Sequence, residues 1–498
     1  MFAGKTDRET ASFLVVLREQ ADLRGADLFP GKAEKGRFVL EALRAQAERS
    51  QAPLRRRLDA TGASYRSFYL VNMIEVEGDR AIAEELAGRD DVSSISPNPE
   101  IPLERGPVPE PQPGASPYAS RLTPYDTLAV EPNIAKIRAP AVWAQGFTGQ
   151  GIVVAIADTG TVAEHSALKS HYRGTSGSSV THDYNWHDAI HNAGATNPCG
   201  SDSVAPCDDD GHGTATASLA VGDDGAGNQV GVAPGARFIA CRNMDRGAGT
   251  PARYTECFQF FLAPTDRNGA NPRPDLAPHV INNSWGCPVS EGCLASDPNI
   301  LRAVIENVRA AGILVVVSAG NGGPLCSTIS DVPGFYDAAF SVGATVSTDL
   351  NTSVDAIASF SSRGPITADG SNRLKPDISA PGVALRVAAI PTGFRSGFSG
   401  TSGSGPEVAG AAALLLSAAP QLSGQPVATA DLLRRSAVPL TSTQDCGGFP
   451  GSAVPNPIFG SGRLDIAAAV LLAMPTAART RPVLSPRRGG PRALAPRS

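Results

Sequence analysis

The chain has 498 residues, more than one ordinary compact domain holds, and 42% of them are apolar, so it folds into two or more packed units and is not a disordered polymer. Its formal net charge of −5 gives no electrostatic case for nucleic acid or an anionic membrane surface. No apolar run reaches the ~18 residues needed to cross a bilayer, and the N-terminal segment Met1–Thr10 has no basic stretch followed by an apolar one, so no secretory signal is visible.

The first hundred or so residues read as a small α+β unit over 10–98. Phe13–Leu17 is a strand candidate, Gly36–Ser50 carries apolar residues at helical spacing, Tyr65–Val76 reads as one strand, Arg80–Gly88 as a short helix and Asp91–Ile95 as a last strand. The proline-dense stretch 99–123 reads as an extended linker, where processing is expected. From 124 to 473 the texture changes. Ile152–Ala157, Val280–Ile281 and Ile313–Val317 are continuous apolar runs, as parallel strands covered on both faces require. Ile300–Ala311 and Glu407–Ala418 read as helices, which makes the class α/β with a mostly parallel sheet and helices on both faces. Residues 474–498 are rich in Arg and Pro and read as a disordered tail; no internal repeat is visible.

All eight cysteines lie from Cys199 onward. An even, clustered set suggests disulfides and an oxidising, extracellular setting, with Cys199/Cys207 and Cys287/Cys293 close enough to bridge turns; the full connectivity stays open. No CxxC pair exists, which argues against a structural zinc site.

Four short motifs carry chemistry. The run ending at Ala157 delivers Asp158-Thr-Gly, and parallel sheets bind ligands beyond the carboxyl ends of their strands. Asp210-Gly-His212-Gly-Thr214 holds the one histidine of seven that glycines flank on both sides, and imidazole suits proton transfer near neutral pH. Ser318-Ala-Gly-Asn321-Gly322 ends an apolar strand with a side-chain amide that could donate to an oxyanion. Gly400-Thr-Ser402-Gly-Ser-Gly-Pro406 puts a serine before a helix whose dipole favours negative charge. Each alone has a plain structural explanation: a turn acid, a core histidine, a capping serine.

Taken in the order Asp, His, Asn, Ser, the motifs make the chain resemble the subtilase family over roughly 125–475, including Asn283-Ser-Trp-Gly286 and Gly460-Ser-Gly-Arg-Leu-Asp465. Thr181-His-Asp-Tyr-Asn-Trp186 and Gly231-Val-Ala-Pro-Gly-Ala236 look more narrowly like its bacillopeptidase F branch. The resemblance implies a serine endopeptidase with Ser402 as nucleophile, His212 as general base, Asp158 as its orienting acid and Asn321 in the oxyanion hole. It implies that Ser284, Trp285 and Gly286 pair with substrate as an added strand. It also implies that 10–98 is a ferredoxin-like propeptide, an intramolecular inhibitor removed by self-cleavage. Polypeptide substrates, a secreted monomer, no cofactor for the chemistry and a structural calcium, with Asp208–Asp210 or Asp223–Asp224 as ligands, complete the expectation. Three positions depart from the family pattern: Gly403 stands where it has methionine, Glu407 where it has histidine, and Ala215 where histidine is common. A rival metal site could draw on His182, Asp183, His187, Asp188 and His191, but these form no HExxH motif. A second rival keeps the fold without turnover, as a binding protein.

Overall fold

A computed structural model describes residues 2, 4, 6, 9–105, 130–286, 301–346 and 355–474. The N-terminal unit runs β-α-β-β-α-β. Its four strands are ordered Ser64–Phe68, Met73–Gly78, Ala11–Leu17 and Val92–Pro97, and every recorded pairing is antiparallel. The long helix Lys32–Thr61 buries Val39, Leu43, Leu54 and Leu58 on one side, spaced by whole turns, and ends where Gly62 takes a left-handed φ of 72°. The short helix Arg80–Ala87 starts on Asp79, whose carboxylate accepts from the N–H of Ile82. The order of elements is that of a ferredoxin-like unit.

One expectation for this unit fails. Residues 65–76 are not a single strand but two, folded back through a turn at 69–72. The apolar tip is what makes the segment look continuous. Leu70 and Val71 are buried against the second unit, not inside the sheet, and the N–H groups of Tyr69 and Leu70 donate to Oε1 of Gln259.

The second unit is built on seven strands ordered Ile378–Pro381, Phe340–Thr345, Leu314–Ser318, Val280–Asn283, Val153–Asp158, Arg237–Arg242 and Trp186–Asp188. All the recorded pairings in this sheet are parallel. Side chains alternate between two cores. Val154 and Ile156 face the helices His212–Val221, Thr401–Ala418 and Ile466–Ala473, while Ala155 and Ala157 face Pro251–Leu262 and Arg302–Ala310. Each Val or Leu buried here contributes about 1.5–3 kcal/mol.

The chain leaves the first strand of this sheet, Val153–Asp158, toward one edge and later returns to its other side. Asp158 therefore sits at the carboxyl end of the strand at the topological switch point, the place where open α/β sheets bind ligands.

Three disulfides lie among the described residues: Cys199–Cys207, Cys241–Cys257 and Cys326–Cys446. The first is the expected local pair. Cys287 and Cys293 lie outside the described residues, as does the tail from 475 onward.

The two units share a core. Phe68, Leu70, Val71 and Met73 of the first pack with Phe258, Phe261, Ala277 and Val304 of the second. Around this patch Lys32 Nζ donates to the carbonyl of Ala277 at 2.6 Å, Asn307 Nδ2 to that of Leu70 at 2.6 Å, and Arg66 pairs with Glu256. Burial pulls the Lys32 amine down to about 8.

Candidate active site

The strand Val153–Asp158 fixes Asp158, which is fully buried. Its Oδ1 lies 2.7 Å from Nδ1 of His212 and accepts from the N–H of Thr159, while Oδ2 accepts from the Thr216 hydroxyl at 3.2 Å. That arrangement sets the imidazole's tautomer and leaves its Nε2 for chemistry. His212 is the first residue of its helix. Gly213 is forced by the approach of this helix to the strand end, since a Cβ there would lie 2.1 Å from the Gly160 carbonyl oxygen.

Burial is the largest influence on His212 and lowers its pKa. The charge and hydrogen bond of Asp158, with the charge of Asp210, more than offset this, so the pKa is raised. The charge of Arg105 acts against them.

Asp208 holds the helix start. Its carboxylate accepts from the Thr214 N–H and hydroxyl, the Gly211 N–H and the Thr159 hydroxyl. Asp209 accepts from Arg242, Asn197 and the N–H of Arg246, and Asp223 and Asp224 accept from N–H groups of their own loop. Four of the five carboxylates suggested for calcium, Asp208, Asp209, Asp223 and Asp224, thus already accept from protein donors. The rival histidine cluster is divided as well. His187 and His191 both meet Glu256, at 2.7 and 3.0 Å, and His182 meets the Tyr172 hydroxyl at 3.2 Å. The described residues contain no group of three or more His, Cys, Asp or Glu side chains arranged to hold a metal.

Ser402 lies inside the first turn of the helix Thr401–Ala418, not in a loop before it. Pro406 suggests a start at Glu407, yet that proline sits within the helix. The carbonyl it cannot serve, four residues earlier, belongs to Ser402. The Ser284 hydroxyl donates to that oxygen at 3.3 Å, and the Ser402 hydroxyl donates to the carbonyl of Ser284 at 3.0 Å. These reciprocal bonds tie the two segments together. Among the described residues no hydrogen bond joins Ser402 to His212, and the Ser402 hydroxyl instead meets the Ser284 carbonyl. Such loose geometry is common when the reacting complex is absent.

The structure shows the setting of two of the departures. A Cβ on Gly403 would lie 2.6 Å from Leu385 Cδ1 and 3.6 Å from Phe398 Cδ1, so these side chains already fill the space. Glu407 is fully buried, accepts from Asn133 Nδ2 at 2.7 Å and has Oε2 without a partner among the described residues. Burial raises its pKa well above the usual carboxylate range.

Asn321 caps the strand Leu314–Ser318. Its Oδ1 accepts from the N–H and hydroxyl of Thr401, which aims Nδ2 into the groove. Nδ2 donates to a residue far away in sequence, the backbone carbonyl of Glu104, at 3.3 Å, and the Asn321 N–H donates to the Glu104 carboxylate at 3.0 Å. The preceding residues Ile101–Pro102 pair antiparallel with Ala248–Gly249, and the Leu103 N–H donates to the Gly247 carbonyl at 2.6 Å. The next residue, Arg105, pairs with Asp210.

Residues 101–105, read from sequence as part of a linker, thus cross the site, with Ile101–Pro102 as a short strand. Gly247, Ala248 and Gly249 escape a reading of the sequence; the glycine-rich run after Arg246 is the available signal. Trp285 faces away from the groove. Its Nε1 donates to the Ala157 carbonyl at 3.0 Å and its ring stacks on Tyr254 at 3.7 Å. Gly286 ends the expected Ser284–Gly286 segment, and residues 287–300 beyond it lie outside the described residues.

Comparison with known proteins agrees with this geometry. The model of the subtilase family, peptidase S8, matches residues 149–462. Bacillopeptidase F of Bacillus subtilis (strain 168) is 34% identical over 447 residues, 86% of this chain and 28% of that protein. The serine protease AprX of the same organism is 33% identical over 298 residues, 56% of this chain and 60% of that protein. Subtilisin DY of Bacillus licheniformis is 31% identical over 294 residues, 58% of this chain and 86% of that protein. The chain spans little more than a quarter of bacillopeptidase F and three fifths of AprX. With its parallel sheet, its Asp158–His212 pair and these matches, the chain belongs to the subtilase family, on the bacillopeptidase F-like side of it.

Proposed function

We propose that the chain is a serine endopeptidase made as a zymogen, and that its own Glu104–Arg105 bond is the first one it cuts. The observation that carries this reading is the Glu104 carbonyl resting on Asn321 Nδ2 at the end of a paired strand. A peptide lies in the groove as a substrate would, with a carbonyl on a preformed donor. On this reading the N-terminal unit assists folding and blocks the site until the bond is broken.

His212 takes the Ser402 proton as the hydroxyl oxygen attacks the Glu104 carbonyl carbon. The negative charge that develops on the carbonyl oxygen is met by Asn321 Nδ2. His212 then returns the proton to the leaving amine of Arg105, and water repeats the steps to release the acyl group from Ser402. Asp158 holds the imidazole and stabilises its cation throughout. The raised His212 pKa sets the acidic limb: activity falls as pH drops through that value, where the base is already protonated. An extracellular location is supported by the disulfides.

A fluorophosphonate probe tests the reading. It should label the processed protein at Ser402 and leave Ser402→Ala unlabelled. N-terminal sequencing of the processed protein should start at Arg105, and Ser402→Ala should stay uncut. A processed wild-type protein that resists the probe would overturn the serine mechanism.

A further inference from the structure

Three consecutive acids precede His212, and the loop treats them differently. Asp208 and Asp209 are spent on the fold itself. Asp210 is not. Its side chain is 8% exposed, its Oδ1 is buried with no hydrogen-bond partner among the described residues, and its Oδ2 pairs with the Arg105 guanidinium. Across the groove, a Cβ on Gly247 would lie 3.3 Å from that Oδ2 and 3.6 Å from Arg105 Nη2, so glycine keeps room for the incoming cation.

A buried carboxylate left half satisfied is costly, and a charged donor removes much of that cost. The donor here belongs to the residue just after the bond assigned to self-cleavage. Once that bond is cut, Arg105 is the new N-terminus of the peptidase and no longer tied to Glu104, so Asp210 can receive an equivalent group from another chain. Neither Asp158 nor His212 needs Asp210 for its position.

We propose that Asp210 is a specificity residue that selects polypeptides carrying Arg or Lys immediately after the cleaved bond. This rests on the reading of Ser402 as nucleophile and of Glu104–Arg105 as the cut bond. Arg should be favoured over Lys, because a planar guanidinium can reach Oδ2 and the unpartnered Oδ1 together.

The test uses the self-processed protein and quenched fluorogenic peptides of the sequence Ile101–Val108, with Arg, Lys, Ala or Glu after the Glu. Mass spectrometry locates the cut. The pair is partly solvated, since Arg105 is 60% exposed, so the expected preference in kcat/KM is moderate. The Arg peptide should be cut about tenfold faster than the Ala peptide, and the Glu peptide slower still. Asp210→Asn should bring the Arg-to-Ala ratio close to one, and Asp210→Lys should place Glu above Arg. Ratios are read, not turnover, because Asp210 also acts on His212. A wild-type ratio near one, a ratio that Asp210→Asn leaves unchanged, or a cut on the far side of the Arg overturns the inference while the peptidase reading stands. Failure to cut any peptide, while casein is digested and Ser402 takes a fluorophosphonate, also overturns it. No digestion and no labelling overturns the parent reading and the inference with it.

Discussion

The N-terminal unit and the peptidase unit are both sheets covered by helices, yet they are fastened in different ways. The peptidase sheet is buried on both faces, is clipped by three disulfides among the described residues, and holds a fully buried Arg242 between Asp188 and Asp209. The N-terminal unit has no cysteine and stays in place through one apolar edge with a rim of titratable groups, among them Lys32, Arg66 and the Glu256 that Arg66 shares with His187 and His191. One set of contacts is suited to permanence and the other to release. The two meet at Asn321, which is part of the peptidase frame and holds Glu104, the residue proposed to end the removable segment.

Asn321 gives the largest expected effect. Asn321→Asp keeps an acceptor for Thr401 and loses the donor into the groove. Turnover by steady-state assay should fall about 10²–10³-fold, a magnitude known from a subtilisin, a relative of this chain. Affinity for the N-terminal unit supplied as a separate inhibitor should change far less, because most of its contacts lie elsewhere. Equal losses in both would break the distinction between frame and passenger.

Arg242→Met tests the frame alone. It leaves two buried carboxylates without their cation and should cost about 3–5 kcal/mol in denaturant unfolding of the processed protein. A loss below about 1 kcal/mol would mean that the loop before His212 is not held by this pair.

Arg66→Ala tests the passenger alone. The N-terminal unit should bind about tenfold more weakly to the peptidase, with the stability of the processed protein untouched. The same surface should respond to acid. The hydrogen bonds of Glu256 to His187 and His191 outweigh burial and hold its carboxyl well below the usual range, so its contribution is present above its unfolded pKa and is lost as pH falls through the folded one. His191 has the opposite sign: its pKa is raised, chiefly by Glu256, so its contribution is complete below its unfolded pKa and is lost as pH rises through the folded one.

Glu407→Gln gives the smallest effect. Because burial raises the Glu407 pKa, the native state binds a proton that the unfolded chain releases, and stability declines as pH rises above the unfolded value. Glutamine keeps the Asn133 bond without the proton. The variant's melting temperature should exceed that of the wild type by more at pH 8 than at pH 5, and an identical pH slope in both would exclude Glu407 as the source.

What sequence reveals and what it hides have physical reasons. Asp158 and Asn321 are legible because each follows an apolar run that ends on the sheet, and His212 because glycines flank it at the start of a helix. The Ser402 helix reads six residues too short, because a proline normally marks a boundary and the Ser284 hydroxyl that compensates for it is over a hundred residues away. The hairpin at 64–78 is hidden because the apolar residues at its tip bury against another unit. Gly247–Gly249 and Glu104 are out of reach for the same reason: their meaning lies in a pairing between segments that nothing local encodes. The pairing of Cys241 on a sheet strand with Cys257 on a helix, and of Cys326 with Cys446, comes from the tertiary arrangement and from no spacing rule.

The packing at Gly403 has a consequence for chemical durability. A thioether beside a nucleophile is open to peroxide, and conversion to the sulfoxide would set a polar, bulkier group against the reacting serine. Here that neighbour has no sulfur at all, and its volume is taken by Leu385 and Phe398, hydrocarbons that peroxide leaves alone. Of the described methionines, Met73 and Met244 are fully buried and Met474 lies past the last helix. On the proposed reading, the turn that carries Ser402 should therefore keep its shape under oxidising conditions, which would also keep the disulfides closed.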